Sequence, residues 1–376
     1  MKIGLLLTKS VIYPSMGFDI IDGLKASLKN QGHENEYEII AKNIGVGGNN
    51  DDIYSNAEQL LLEGADIVIG YINPHAAEAI STLFESSGKT LLVLDSGYHL
   101  PVYESVLPNT YFISLQGNLC SRAIVNKAFS DGNKNFAVAC SFFDAGYRSP
   151  YIYSAASEEK GGAVTFNHVT PLRKVDFTLD PLVNYLNENK DTAIFASFCG
   201  DMTEDYLNES AKLESLSKNN TYGSGFTAEE SWLDKITYPG YDWYSAVPWS
   251  KNIDTPANNE FKNIMGSIRH EKVNIFSLLG WEAALYISKS NNFNFDGLII
   301  DSPRGSVFMN PSTRHSEAPV YYATVTKNSD TNTCTLTNIT EVSDLTEDRN
   351  GILKDIEHIR NNLSNSWLNS YACLDS

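Results

Sequence analysis

Long apolar runs, closely spaced cysteines and an excess of basic residues are all missing from this sequence of 376 residues. Its longest apolar segments, such as 65–71 and 91–94, are far shorter than the roughly 20 residues that a membrane-spanning helix needs. The five cysteines form no CxxC pair, so no zinc or redox motif is present. Most are expected to be free thiols, with Cys140 and Cys199 the one pair considered for a bridge.

The shortage of positive charge excludes another class of partner. There are 46 acidic and 28 basic residues, which gives a formal net charge of -18. A chain this acidic is repelled by polyphosphate and by anionic lipid surfaces. We therefore expect no nucleic acid partner and no membrane insertion.

Catalytic and cofactor motifs are also missing. The sequence has no G-x-S-x-G nucleophile motif, and Gly223-Ser224-Gly225 has a different spacing. The glycines at 45–48 do not form G-x-G-x-x-G and lack the P-loop lysine. Since no HExxH motif, EF-hand loop or paired metal ligands occur either, we expect no enzyme activity, no metal and no cofactor.

Strand-length apolar runs alternate with segments of helical periodicity over residues 1–226. In the first half the runs predict strands at 2–7, 37–41, 66–71, 90–94 and 111–116. A second series predicts strands at 136–140, 163–168, 192–198 and 221–226. Strict strand–helix alternation is typical of a parallel, doubly wound sheet, so the fold class is α/β with two Rossmann-like units.

Prolines at 248 and 256 interrupt this alternation. Two predicted helices, 258–269 and 274–290, follow, then extended segments at 320–326 and 333–339 and a helix at 351–362. We expect the first two helices to pack on the first unit. The chain would then pass between the two units several times, and these crossings would form a hinge. The predicted lobes are 1–117 with 251–320, and 118–250 with 321–376.

The order of several short motifs resembles the type I periplasmic binding proteins, especially the branched-chain amino acid, amide and urea receptors. These motifs include Val93-Leu94-Asp95-Ser96-Gly97, Gly280-Trp281-Glu282-Ala283-Ala284 and Ser302-Pro303-Arg304-Gly305. The resemblance spans nearly the whole chain. It implies a receptor that closes around a small polar solute, such as an amino acid, amide or urea derivative, and presents it to the permease of an ABC importer.

This resemblance leaves the location of the protein open. The five residues Ile3-Gly4-Leu5-Leu6-Leu7 are too short for a signal peptide core. An importer receptor would work in the periplasm or at the cell surface after removal of a signal. The alternative is a ligand sensor that regulates a partner protein, as in the cytoplasmic amide receptors of this fold.

Ligands of open parallel sheets lie beyond the carboxyl ends of the strands. The predicted strand ends, together with positions matched to the family, nominate two sets of ligand-binding residues. The first lobe contributes Tyr13, Met16, Asn73, His75, Ser96, Gly97, Tyr98 and Trp281. The second contributes Tyr147, Asp201, Phe226 and Thr227. Met16 and Trp281 match side-wall positions of the family, and Asp201 matches an acidic contact of its amide receptors.

Each candidate also has a purely structural interpretation. Asn73 and Ser96 suit ordinary turns, His75 suits an exposed helix start, and Asp201 suits a helix cap. The tyrosines, Met16 and Trp281 suit packing positions. The sequence also departs from amino acid receptors after residue 226, where Thr227-Ala228 replaces the expected acidic residue and Glu229 and Glu230 come later.

Overall fold

The computed structural model describes residues 1–100, 105–142, 148–171 and 173–362. These residues form two compact units. Among the described residues, unit 1 comprises Met1–Leu115 and Ile253–Pro319, and unit 2 comprises Gln116–Asn252 and residues 320–362. No helix in the described part of the chain is long and apolar enough to cross a bilayer.

Strands and helices alternate along most of the chain. The strands are β1 (Lys2–Leu7), β2 (Glu38–Asn43), β3 (Ile67–Tyr71), β4 (Thr90–Asp95), β5 (Thr110–Ser114), β6 (Asn135–Cys140), β7 (Ala163–Val169), β8 (Thr192–Ser197), β9 (Thr221–Gly223), β10 (Trp243–Val247), β11 (Ile299–Ser302), β12 (Gly305–Met309), β13 (Ser316–Glu317), β14 (Tyr321–Lys327) and β15 (Cys334–Glu341). The helices are α1 (Met16–Asn30), α2 (Asn50–Leu62), α3 (Pro74–Ser87), α4 (Gly117–Ser130), α5 (Arg148–Glu159), α6 (Asp180–Glu188), α7 (Asp201–Ser210), α8 (Glu214–Ser217), α9 (Glu230–Leu233), α10 (Pro256–Ile268), α11 (Ile275–Lys289) and α12 (Thr346–Asn362).

Unit 1 is built on a five-stranded parallel sheet in the order β2-β1-β3-β4-β5. Every residue of β3, β4 and β5 is buried. This explains why these strands appear in the sequence as continuous apolar runs rather than as an alternating pattern. A small antiparallel sheet, β11-β12-β13, also belongs to this unit.

Helices α1 and α11 of unit 1 pack directly against each other, backbone to backbone. A methyl group added to Gly280 would lie 2.1 Å from the carbonyl oxygen of Ile20, and one added to Gly23 would lie 2.0 Å from that of Ser277. Only glycine fits at such an approach. The start of α11 is fixed by Asn274, whose side-chain oxygen accepts from the backbone N–H groups at 276 and 277.

Unit 2 contains a seven-stranded sheet in the order β15-β14-β10-β9-β8-β6-β7. Strands β10, β9, β8, β6 and β7 are parallel, whereas β14 and β15 pair antiparallel at one edge. Its apolar core lies between this sheet and helices α4 and α5, where the ring of Tyr153 stacks on that of Phe195 at 4.5 Å.

A cluster of charged side chains attaches helix α12 to the rest of unit 2. The buried guanidinium of Arg122 on α4 donates to Asp355 of α12 at 2.7 Å and to Glu159 of α5 at 2.8 Å. Gly351 lies so close that a methyl group there would meet the Nη1 atom of Arg122 at 2.1 Å. The cluster therefore fixes both the position and the rotation of α12.

The doubly wound α/β class that the sequence predicts is confirmed. Two details differ. The strand predicted at 221–226 ends at Gly223, because the backbone from Ser224 forms a turn in which Ala228 N donates to Ser224 O. The helix predicted at 351–362 begins earlier, at Thr346, and ends at Asn362.

Candidate ligand-binding site

In unit 1, the candidate residues follow three neighbouring parallel strands. Since β1, β3 and β4 are adjacent, the segments after Leu7, Tyr71 and Asp95 emerge at the same edge of the sheet. The hydroxyl of Thr8 donates to the carbonyl oxygen of Tyr71 at 2.6 Å, which links the first two of these ends. Sequence analysis did not single out Thr8, since a lone threonine after a strand carries no distinctive signal.

The segment after β4 forms a tight turn over Ser96, Gly97 and Tyr98. Gly97 has a φ of 74°, in the left-handed region that favours glycine. Its N–H donates to the Asp95 carboxylate at 2.5 Å, and Tyr98 N lies 3.4 Å from the Ser96 hydroxyl. The carboxylate of Asp95, the last residue of β4, therefore stabilises this turn.

Asn73 and His75 lie at the start of α3, after β3. The side-chain oxygen of Asn73 accepts from Ala76 N at 2.8 Å, so Asn73 is the N-cap of this helix. His75 is half-buried, and its Nε2 atom is shielded from solvent and has no hydrogen-bond partner among the described residues. A shielded polar atom of this kind is costly unless water or a bound molecule pairs with it. The Nε2 atom of His75 is thus one polar atom of unit 1 that could pair with a solute.

Aromatic rings accompany the ends of β1 and β3. The ring of Phe276, on α11, meets Tyr13 at 4.9 Å and Tyr71 at 5.9 Å, both edge-to-face. Met16 has no exposed surface, and Trp281 is 3% exposed with its ring packed edge-on against Phe261. These last two side chains are buried packing residues of the α1 and α11 region.

In unit 2, Phe226 and Thr227 lie in the turn after β9. Phe226 is 5% exposed. The Thr227 hydroxyl accepts from Phe198 N at 2.9 Å and lies 2.9 Å from Phe198 O. It therefore ties this turn to the end of β8.

Asp201 occupies the first position of α7, and Gly200 is the N-cap of that helix. The Asp201 carboxylate binds the Lys174 ammonium at 2.8 Å, and the Asp205 carboxylate binds the same ammonium at 3.1 Å. Partial burial lowers the pKa of Lys174, but hydrogen bonds to the two carboxylates outweigh it and raise that pKa overall. A ligand cation at Asp201 would have to share this carboxylate with Lys174.

Two buried carboxylates in unit 2 are already engaged. Glu229 is the N-cap of α9, accepting from Ser231 N at 3.1 Å, and burial raises its pKa. Glu230 accepts from Lys251 N at 2.7 Å and from the Ser250 hydroxyl at 3.1 Å. Burial raises the pKa of Glu230 to about 7. Each of these acids holds a backbone segment of unit 2.

Two further predictions concern the cysteines and Tyr147. Cys120, Cys140, Cys199 and Cys334 form no disulfide with one another, so the bridge considered between Cys140 and Cys199 is absent. Burial raises the pKa of Cys334 to about 12, which keeps this thiol protonated and unreactive. Tyr147 lies outside the described residues.

The family model for periplasmic binding proteins matches residues 1–290 of the chain. No curated protein sequence matches it at a significant level.

Several solved structures share the fold. A solute-binding protein of an ABC transporter from Rhodopseudomonas palustris HaA2, in complex with p-hydroxybenzoic acid, superposes with a TM-score of 0.77 at 20% identity, covering 92% of this chain and 98% of that one. An ABC transporter substrate-binding protein from Sphaerobacter thermophilus reaches 0.78 at 15% identity over 91% and 98%. A branched-chain amino acid ABC transporter from Rhodopseudomonas palustris CGA009 reaches 0.70 at 15% identity over 91% and 96%.

Proposed function

The chain belongs to the periplasmic binding protein family, and from this we propose that it is a receptor that closes around a small polar solute and delivers it to an ABC importer. The observation that carries the proposal is the set of polar groups that follow three adjacent parallel strands of unit 1. A ligand that binds the closed form more tightly than the open form shifts the equilibrium toward closure.

The turn at Ser96, Gly97 and Tyr98 is the proposed anchor for an acceptor oxygen of the solute. The Ser96 hydroxyl can donate to a carboxylate or carbonyl oxygen, and Gly97, which has no β-carbon, allows that group to approach the backbone closely. Nearby, His75 supplies a shielded ring nitrogen. The solute therefore carries a carboxylate or amide oxygen in this proposal.

The rest of the solute is either amino-acid-like or aromatic. Asp201 is the proposed contact for an ammonium or amide N–H, although Lys174 already neutralises part of its charge. An ammonium group on the solute is disfavoured because Glu229 and Glu230 already accept hydrogen bonds from backbone N–H groups of unit 2. In favour of an aromatic acid, the rings of Tyr13, Tyr71 and Phe276 cluster at the strand ends, and one structural neighbour was solved with p-hydroxybenzoic acid.

We further propose that the protein works in the periplasm or at the cell surface, where an importer receptor meets its solute. The formal charge of -18 suits this role. It keeps the protein soluble and away from anionic membrane surfaces while the receptor diffuses to its permease.

A thermal-shift screen tests this function. The panel is 4-hydroxybenzoate, benzoate, L-leucine, L-glutamine, acetamide and urea, with Ser96→Ala as the site variant. Ser86→Ala is the matched control, since Ser86 is exposed on α3 and its hydroxyl bonds only within that helix. A compound at about 100 times its Kd stabilises the protein by roughly 2.7 kcal/mol.

We expect at least one compound to shift the melting temperature of the wild type and of the control, and Ser96→Ala to reduce that shift. If no member of the panel stabilises the protein, the proposed solute classes are wrong. If Ser96→Ala and the wild type respond alike, the turn after β4 is not the anchor.

A further inference from the structure

Unit 1 contains an ion pair that is closed off from solvent. Glu282 on α11 and Arg304, in the turn between β11 and β12, both have side chains with no exposed surface. The contact is bidentate: Arg304 Nε donates to one carboxylate oxygen at 2.7 Å, and Nη2 donates to the other at 2.8 Å. The Ser302 hydroxyl donates to the first of these oxygens at 2.5 Å.

The remaining nitrogen of the guanidinium points to the end of the central sheet. Arg304 Nη1 donates to the carbonyl oxygen of Ser114 at 2.9 Å. Ser114 is the last residue of β5 and stands in register with Asp95, the last residue of β4. The Ser114 hydroxyl donates to Asp95 Oδ1 at 2.8 Å.

Asp95 connects this network to the candidate turn. The same Oδ1 atom that accepts from Ser114 also accepts from Gly97 N at 2.5 Å. A continuous path of hydrogen bonds therefore runs from Glu282 through Arg304, Ser114 and Asp95 to the backbone of Gly97. All of these residues belong to unit 1.

The energetics argue that this pair does more than stabilise the fold. Burying an ion pair costs several kcal/mol of desolvation per ion, and well-packed apolar residues often serve stability equally well. What such a pair supplies is direction, because the planar guanidinium fixes its partners bidentately. Here the guanidinium, oriented by Glu282, binds the end of β5 at Ser114 O, and the Ser114 hydroxyl binds Asp95 at the end of β4, two residues before the positive-φ Gly97.

We propose that Glu282 and Arg304 are positioning residues for the ligand site: through Ser114 and Asp95 they hold the Ser96–Gly97–Tyr98 turn in its binding conformation. This inference rests on the proposed function, since it takes the turn to be a solute anchor. Neither residue touches the solute. Their effect reaches it through the orientation of the Gly97 backbone.

The chain offers a matched control for a purely structural role. Arg122 and Asp355 of unit 2 form another buried arginine–carboxylate pair, at 2.7 Å, which links helices α4 and α12. Within the described part of the chain, the hydrogen bonds of Arg122 run to Asp355 on α12 and Glu159 on α5 and to no candidate strand end. Asp355→Asn should therefore lower stability without changing the turn after β4.

The test measures hydrogen exchange of the Gly97 amide, by NMR, in the wild type, Ser114→Ala, Arg304→Lys and Asp355→Asn. Ser114→Ala removes only one hydroxyl and is the variant that should fold in any case. Arg304→Lys keeps the charge but loses the bidentate geometry. Exchange at Ile69, in the centre of β3, reports global opening in every variant.

We expect Gly97 exchange to accelerate roughly tenfold in Ser114→Ala and in Arg304→Lys relative to exchange at Ile69, as expected for a weakened local hydrogen bond. Asp355→Asn should leave this ratio unchanged. If the ratio is also unchanged in Ser114→Ala, or rises equally in Asp355→Asn, the positioning role is refuted.

A binding arm separates this inference from the proposed function. Calorimetric titration with 4-hydroxybenzoate and with L-leucine is compared between the wild type and Ser114→Ala. Weaker binding by Ser114→Ala, with faster Gly97 exchange, supports both proposals. If Gly97 exchange is faster in Ser114→Ala but binding is unaltered, the network positions the turn, but the turn is not the anchor of the two probes. The same conclusion follows if exchange is faster and the wild type binds neither probe.

Discussion

Gly280 and Ile20 mark the closest approach of helices α1 and α11: a methyl group on Gly280 would lie 2.1 Å from the Ile20 carbonyl oxygen. This contact places α11 directly against the first helix of the chain, although about 250 residues separate them in sequence. Because Glu282 lies two residues after Gly280, the same contact also fixes the carboxylate that binds Arg304.

Gly280→Ala should destabilise the protein by about 3 kcal/mol or more, because two backbones must separate to admit the methyl group. Urea unfolding measures the change. Gly266→Ala is the control, since Gly266 is exposed on α10 and its new methyl would meet only Val273, at 3.8 Å. That variant should be more stable by about 0.5–1 kcal/mol. Equal effects of the two substitutions would contradict the close packing of α1 and α11.

Asp355→Ala should lower the free energy of unfolding by about 3–5 kcal/mol, because it leaves the Arg122 guanidinium buried with only the half-exposed Glu159 as partner. Chemical denaturation followed by circular dichroism gives the value. Glu159→Ala is the comparison, since its carboxylate is 45% exposed and its loss should cost less. A smaller effect for Asp355→Ala than for Glu159→Ala would show that α12 is not held as described.

The raised pKa of Glu230 predicts that the free energy of unfolding depends on pH. Burial raises its pKa to about 7 in the folded chain, above the ordinary value of 4.5 expected after unfolding. Between these values the folded state holds a proton that the unfolded state has released, so this contribution is complete below pH 4.5 and is lost as the pH rises through 7. Its size is on the order of 3 kcal/mol.

Glu230→Gln should abolish that component, because the amide does not titrate. The measurement is the free energy of unfolding of the wild type and the variant at several pH values between 4.5 and 8. The wild-type value should fall relative to that of the variant as the pH rises. Parallel curves would show that the carboxylate is already charged in the folded protein at pH 5.

Asp201→Ala tests the acidic contact that the sequence nominated. For a solute with an ammonium or amide N–H, such as L-glutamine, the thermal shift should be lost, because the acceptor is removed. Asp205→Ala is the matched control, since Asp205 also pairs with Lys174 but lies one helical turn further along α7. An undiminished shift in Asp201→Ala would remove Asp201 from the site.

The positions of most parallel strands along the chain were accessible to sequence analysis, because buried parallel strands appear as apolar runs. Strand β3 was predicted at 66–71 and observed at Ile67–Tyr71. Strand β10 was missed because Trp243–Val247 is short and mixes Tyr244 and Ser245 with apolar residues. Periodicity does not separate such a segment from a loop.

Long-range polar networks were not predictable in the same way. Glu282 and Arg304 are 22 residues apart, and the network that joins them to Asp95 spans more than half of the chain. Nothing in local spacing shows that these groups meet. The one local sign was Glu282, which lies within the apolar segment of α11, where an unpaired charge would be very costly.

The most direct test of the account is a crystal structure of the chain with the compound that gives the largest thermal shift. The account predicts an acceptor oxygen of that compound within hydrogen-bond distance of the Ser96 hydroxyl or the N–H groups of the Ser96–Gly97–Tyr98 turn. A compound bound elsewhere would contradict it. One such place is the groove of about 890 Å³ on unit 1, lined by Lys25, Tyr37 and Ile264 among others.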